Sequence, residues 1–263
     1  MMLVRRSSER VRDIVVGQDA WLTFGPTVPA PFDAFGNLDV LREGRFARSA
    51  SVSQIRDHAE IITYVYSGSL AFEDSRGLTG VLRQGEFQRM TAGPGLRYSE
   101  VNISPENEAH VFQFWLHPQQ SAVHSGHSKR RFTVADRRGR LRQVASPGGL
   151  EGSLNIHQDA SLYSAILSAG QYVIHPIGVG RGAWLHIVDG AARLGEVLLE
   201  TGDGAGVSDE ESVAIAVTEP TELLLLDMGN FGSKLTNENE RPTIRPRNSG
   251  GTGTTGHPSH RQS

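Results

Sequence analysis

The stretch from Gln54 to Asn102 limits the fold more than any other part of the chain. It is a run of short apolar segments cut by Gly68, by Asp74-Ser75-Arg76-Gly77 and by Gly85. Segments this short, bounded by turn residues, read as strands rather than helices. Strands joined by Gly-marked turns pack into a small antiparallel barrel or sandwich. The segmentation predicts strands at about 46–53, 60–66, 69–73, 80–83 and 86–91, and His110 to Leu116 closes the unit.

The same rhythm returns later, with strands expected at about 162–167, 171–175, 183–188, 191–194, 213–217 and 222–228. Gly170, Gly190 and Gly202-Asp203-Gly204 mark turns between them. Two β domains in 263 residues are the expectation. The proposed boundaries are 1–130 for the first barrel, 131–153 for a basic connection and 154–232 for the second barrel. Opening strands are expected within Val11 to Val16 and Ala20 to Phe24, and another over Phe35 to Leu41. From 233 to 263 the chain is Gly, Ser, Thr, Pro and Asn with scattered charge. Such a segment buries too little apolar surface to offset its ordering entropy, so it reads as a disordered tail.

Composition narrows the function classes. Without cysteine there are no disulfides, no thiolate nucleophile and no zinc–thiolate site. The formal net charge of −3 gives no general attraction to nucleic acid. No apolar run approaches the length that spans a bilayer, and the first ten residues hold no secretory apolar core. A cytoplasmic location without membrane contact is the expectation. Lys129, Arg130, Arg131, Arg137, Arg138, Arg140 and Arg142 form one basic cluster. A phosphate contact is one reading. The reading adopted is a solvated connection whose arginines pair with the acidic body, since aromatic stacking partners are sparse there.

Two short motifs dominate the first half: Glu60-Ile61-Ile62-Thr63-Tyr64-Val65 and Gln88-Arg89-Met90-Thr91-Ala92-Gly93, followed by Ser99-Glu100 and Asn102. With Asp74-Ser75 between them, they resemble the pirin family of bicupins, which includes the pirin-like quercetinases. The strand ending in Gln113-Phe114-Trp115-Leu116 and the stretch Leu154 to Asp159 are similar to that family too. The resemblance implies an all-β bicupin: two antiparallel β-barrels of jelly-roll type packed face to face.

The resemblance also implies a metal site, built from a His-x-His pair, a later His and a Glu two residues beyond it. Those positions are Gln54, Arg56, Tyr98 and Glu100 here. Glu100 alone keeps its identity, and Arg56 is a permanent cation that cannot ligate a metal. No cofactor is therefore expected. Arg56 is expected to supply the missing positive charge to Glu100 as an internal ion pair. Tyr98 and Gln54 would complete the hydrogen bonding. Arg42-Glu43, where the family carries an Asn-Asp type pair, reads as altered pocket chemistry as well. His58 and His110 join the pocket set, because with Glu100 they could form a rearranged site for one divalent ion of Fe, Ni, Cu, Mn or Zn. His157 reads as a structural residue at the domain boundary.

The function expected is binding of a small molecule in the first barrel, or of a protein partner, in a regulatory role. The alternative is a quercetin 2,3-dioxygenase-type oxidoreductase with Glu100 as proton acceptor from the substrate hydroxyl. A cofactor-free enzyme using Tyr98, Glu100 and His58 is a third possibility.

Overall fold

The structure, a computed structural model, describes residues 1–56, 59–92, 95–117 and 125–229, with the side chains of Val15 and Arg56 outside that description. The first half contains β1 (Met2–Arg5), β2 (Val11–Val15), β3 (Gln18–Phe24), β4 (Leu38–Phe46), β5 (Ser51–Arg56) and β6 (Ala59–Ser67). It continues with β7 (Ser69–Asp74), β8 (Thr79–Arg83), β9 (Glu86–Ala92), β10 (Leu96–Asn102), β11 (Ala109–Leu116) and β12 (Gly126–Arg131). A single-turn helix α1 (Val134–Arg137) leads to β13 (Arg142–Pro147), β14 (Leu154–Ile156), β15 (Ala160–Leu167), β16 (Tyr172–Pro176) and β17 (Gly182–Asp189). The chain ends its described course with β18 (Ala191–Leu194), β19 (Val197–Glu200), β20 (Gly204–Ser208), β21 (Ser212–Val217) and β22 (Thr221–Met228).

These strands form two jelly-roll sandwiches, each of two facing sheets rather than one closed ring. In the first, the seven-stranded sheet β12-β9-β6-β11-β4-β3-β2 faces the four-stranded sheet β5-β10-β7-β8. In the second, β1-β20-β17-β22-β15-β13-β14 faces β16-β21-β18-β19. Side chains alternate across each strand, so every large sheet has two buried faces. On β11, Val111 points into the first sandwich with Val65, Phe72 and Met90. Its neighbours Phe112 and Phe114 point the other way, against Trp184, Leu224 and Leu226 of the second sandwich. The two large sheets thus pack face to face, and a third core inside the second sandwich is built from Leu185, Ile215, Leu223 and Leu225.

The strand boundaries differ from the expected ones where the pairing is long-range. β1 pairs with β20, Met2 opposite Val207, so the first residues belong to the second sandwich. No local pattern reveals a partner that far along the chain. β13 joins the same sheet, which moves the second sandwich's start into the expected basic connection. The strand expected at 46–53 is two strands, because the backbone breaks at Ser49, in the left-handed region at φ 55°. Gly204, read as a turn, lies within β20. A Cβ there would fall 2.3 Å from the Trp184 ring, so glycine lets the indole lie flat on the strand. The expected tail from 233 onward lies outside the described residues.

The basic cluster is mostly spent on internal bonds. Lys129 donates to the Val81 carbonyl at 2.7 Å and Arg142 to the Glu151 carbonyl at 2.6 Å. Arg137 is buried between the sandwiches, where its Nη1 donates to the Tyr64 hydroxyl at 3.0 Å, Ser164 at 3.1 Å and Glu222 at 2.6 Å. Among the described residues, no helix is long and apolar enough to cross a membrane.

Candidate functional site

Four polar side chains lie in one row straight across the concave face of the first large sheet. Gln88 of β9 is in register with Thr63 of β6, Thr63 with Gln113 of β11, and Gln113 with Arg42 of β4. All four are buried, at 1–3% exposure. The next row on one side is apolar: Met90, Ile61, Trp115 and Val40. The next row on the other side is Val65, Val111 and Gly44. A polar belt closed between two apolar rows is costly unless its groups are satisfied.

The opposing sheet supplies part of that satisfaction. The Tyr98 hydroxyl donates to Gln88 Oε1 at 3.1 Å. Gln113 Nε2 donates to both oxygens of Glu100, at 3.0 and 3.3 Å. Tyr98 and Glu100 sit two residues apart on β10 and both face inward, at 3% exposure. Arg42 Nη2 donates to Gln18 Oε1 at 2.7 Å and stands 3.6 Å from Asp13. Burial lowers the pKa of Arg42, while the nearby carboxylates of Asp13 and Glu100 oppose that shift.

The structure brings together part of the set read from the sequence. Gln54 on β5 lies directly opposite Tyr98, and Val52 opposite Glu100. Arg56 pairs through its backbone with Leu96. Its side chain and His58 lie outside the described residues. Arg42, from a different strand and sheet, is a cation on which the Glu100 charge acts.

His110 does not join this pocket. It is three residues from Gln113 on β11 and therefore faces the second sandwich. There His110 Nε2 bonds Glu43 Oε1 at 2.7 Å, and Arg10 donates to the other carboxylate oxygen at 2.6 Å. Burial alone would raise the Glu43 pKa, but these two partners bring it down to about 2. The pair Arg42-Glu43 is thus split between two sites, Arg42 in the belt and Glu43 at the interface. His157 is structural as expected: its backbone N–H and its Nδ1 both contact the buried Glu60 carboxylate, at 2.8 and 2.9 Å.

Sequence reasoning gave Gln88 and Gln113 only as motif matches, and missed Thr63 and Gln18 as site residues. Their alternation within each strand was readable. Their alignment into one belt was not, because it depends on register between strands distant in sequence.

Two jelly-roll sandwiches packed through their large sheets define a bicupin. The sequence profile of the pirin family matches residues 32–116, and that of the quercetinase C-terminal cupin domain matches residues 143–228. Over 231 residues the chain is 31% identical to quercetin 2,3-dioxygenase of Escherichia coli K12, covering 87% of this chain and 99% of that protein. It is 34% identical over 169 residues to a pirin-like protein of Caulobacter vibrioides, covering 64% of this chain and 72% of the relative. The crystal structure of bacterial pirin YhhW from Escherichia coli in complex with nickel(II) superposes with a TM-score of 0.81 at 31% identity, over 87% of this chain and 99% of that one. This chain belongs to the pirin family.

Proposed function

We propose that this pirin binds a small molecule in its first sandwich and holds no transition metal at the positions Gln54, Arg56, Tyr98 and Glu100. The observation that carries this reading is the bonding of Tyr98 and Glu100, the two of those four positions that lie on β10. Tyr98 is engaged by Gln88 and Glu100 by Gln113, so the polar belt takes the place of ligand chemistry. The donor set points the same way. Of the four positions, Glu100 alone offers an anionic oxygen at neutral pH, Tyr98 is a phenol, Gln54 an amide and Arg56 a cation. One carboxylate without imidazole partners is a poor site for a divalent transition ion. The protein then acts by binding, and a regulatory contact with a protein partner is compatible with the fold.

Elemental analysis of purified, tag-free protein tests this. Far less than one equivalent of iron, nickel, copper, manganese or zinc per chain is expected. About one equivalent, abolished by Glu100→Ala, would sink the reading.

The second reading is a metal-dependent dioxygenase, favoured by relatives that carry the name quercetin 2,3-dioxygenase and by the nickel(II) complex of a structural neighbour. It predicts quercetin turnover on addition of one of those metals, with Glu100 in the role of proton acceptor.

A further inference from the structure

The outer face of the second small sheet is apolar where it meets solvent. On β16, Val173 and His175 point inward, Val173 against the core of the second sandwich and His175 Nε2 to Asp227 at 2.7 Å. Tyr172 and Ile174 therefore point outward, as strand alternation requires, and they are 69% and 59% exposed. On the neighbouring β21, Val213, Ile215 and Val217 are core residues, while Ala214 and Ala216 are exposed. The register is one to one: Tyr172 lies opposite Ala216, and Ile174 opposite Ala214. A ridge of two large apolar side chains thus runs along β16, beside a trough floored by two methyl groups along β21. No charged side chain points outward from either strand. The equivalent face of the first sandwich is different, with Ser53, Ser99, Glu73 and Thr79 in one row across it.

From this pattern we infer that a second copy of this chain packs on the β16–β21 face, forming a two-fold dimer of sheet on sheet. The argument is self-complementarity. A two-fold axis between the sheets, parallel to β16 and β21 and midway between them, turns the ridge of each copy onto the trough of the other. Because the register is one to one, Tyr172 then meets Ala216 of the second copy, and Ile174 meets its Ala214. The same two contacts recur across the axis, as an isologous interface demands. Large side chains set on small ones let facing layers interdigitate, and sheets packed face to face run within about 30° of each other.

Charge and area agree with this occupant. Arg193, opposite Ala216 on β18, and Glu211, just ahead of β21, stand at the margins. Self-packing therefore buries no ion and leaves these two for the polar rim. Tyr172, Ile174, Pro176 and the two alanines expose on the order of 500 Å² per copy, so the dimer covers about 1,000 Å² in total, the lower limit for a specific interface. The inference is independent of the small-molecule reading, since the polar belt lies in the other sandwich.

Sedimentation velocity of the full, tag-free chain from about 5 to 500 µM tests it. A reversible monomer–dimer equilibrium is expected, with a dissociation constant on the order of 10–100 µM. Ile174→Lys sets an ammonium over Ala214 of the second copy, twice per dimer, and should weaken association roughly tenfold or more. Ala214→Leu separates this packing from general stickiness. It adds apolar surface but fills the trough, so association should weaken by a similar factor. Melting curves show whether the variants fold, and if Ile174→Lys does not, Ala214→Leu decides. A monomer throughout the range overturns the inference. So does a dimer that Ala214→Leu leaves unchanged or strengthens, since the trough is then not its contact.

Discussion

His186 is fully buried between the sandwiches, edge-on to Phe112 with the ring centres 5.5 Å apart, and neither ring nitrogen has a hydrogen-bond partner among the described residues. Burial first, and then the charge of Arg10, pushes its pKa down to about 3, against the opposing pull of Glu43 and Asp203. The folded state therefore keeps the neutral imidazole where the unfolded chain takes up a proton. By linkage, the contribution of His186 is complete above its ordinary pKa and is lost as pH falls from 6.5 towards about 3. Glu43 adds a second loss at lower pH, as its carboxylate begins to protonate in the unfolded chain near 4.5 and in the folded chain only near 2. The interval between pH 6.5 and 4.5 belongs to His186 within this pair. Urea unfolding across that interval is expected to show roughly 2–3 kcal/mol of lost stability in the wild type, at about 1.4 kcal/mol per pH unit. His186→Phe should flatten that slope, and an unchanged slope would show that other groups set it.

At the scale of elements, α1 shows how much a short piece of chain can hold. Arg137 lies in its last turn and reaches Tyr64 of β6, Ser164 of β15 and Glu222 of β22, while Tyr64 also bonds Glu222 directly. One guanidinium thus ties the first large sheet to the second. Removing it leaves the half-buried Glu222 carboxylate with the Tyr64 hydroxyl but without its cation, so Arg137→Met is expected to cost on the order of 2–4 kcal/mol, somewhat less than a fully buried pair. Adding Glu222→Gln should recover part of that loss. Strict additivity of the two changes in a double-mutant cycle would contradict a direct interaction. The sequence placed Arg137 in a basic cluster and gave no hint of burial, since burial here follows from packing between two sheets. Strands made mostly of apolar residues, such as β6, β9, β11 and β22, were legible from those runs and the turn residues between them. β10 was harder, because its inward residues after Leu96 are Tyr98, Glu100 and Asn102. The polar interior that makes the site also hides the strand carrying it. In the same way, the motif placed Gln54, Tyr98 and Glu100 on one face, whereas Arg42 came from a strand whose register to β11 no local pattern encodes.

For the whole molecule, the largest core is the one shared by the two sandwiches. It joins Phe24, Phe112 and Phe114 of the first large sheet to Leu162, Trp184, Leu224 and Leu226 of the second. Two further ties cross the same boundary. β1 extends the second sheet from the N-terminal end of the chain, and Glu60 binds His157. Neither sandwich can lose its structure without exposing half of that shared core, so the two should unfold as one cooperative unit. Tryptophans allow a direct check. Trp115 flanks the belt of the first sandwich, and Trp184 lies in the shared core on the second. Variants retaining one or the other as the sole tryptophan, the rest replaced by Phe, should give the same denaturant midpoint once each is matched to its own circular dichroism curve. Phe112→Ala should shift both signals together, by a destabilisation of roughly 3–5 kcal/mol. Fluorescence transitions that separate, with Trp184 lost before Trp115 or the reverse, would show two independent domains. The consequence for function is that Gln113 and Phe112 are neighbours on β11, one in the belt and one in the shared core. A residue of the interface and the residue that holds Glu100 thus share one strand.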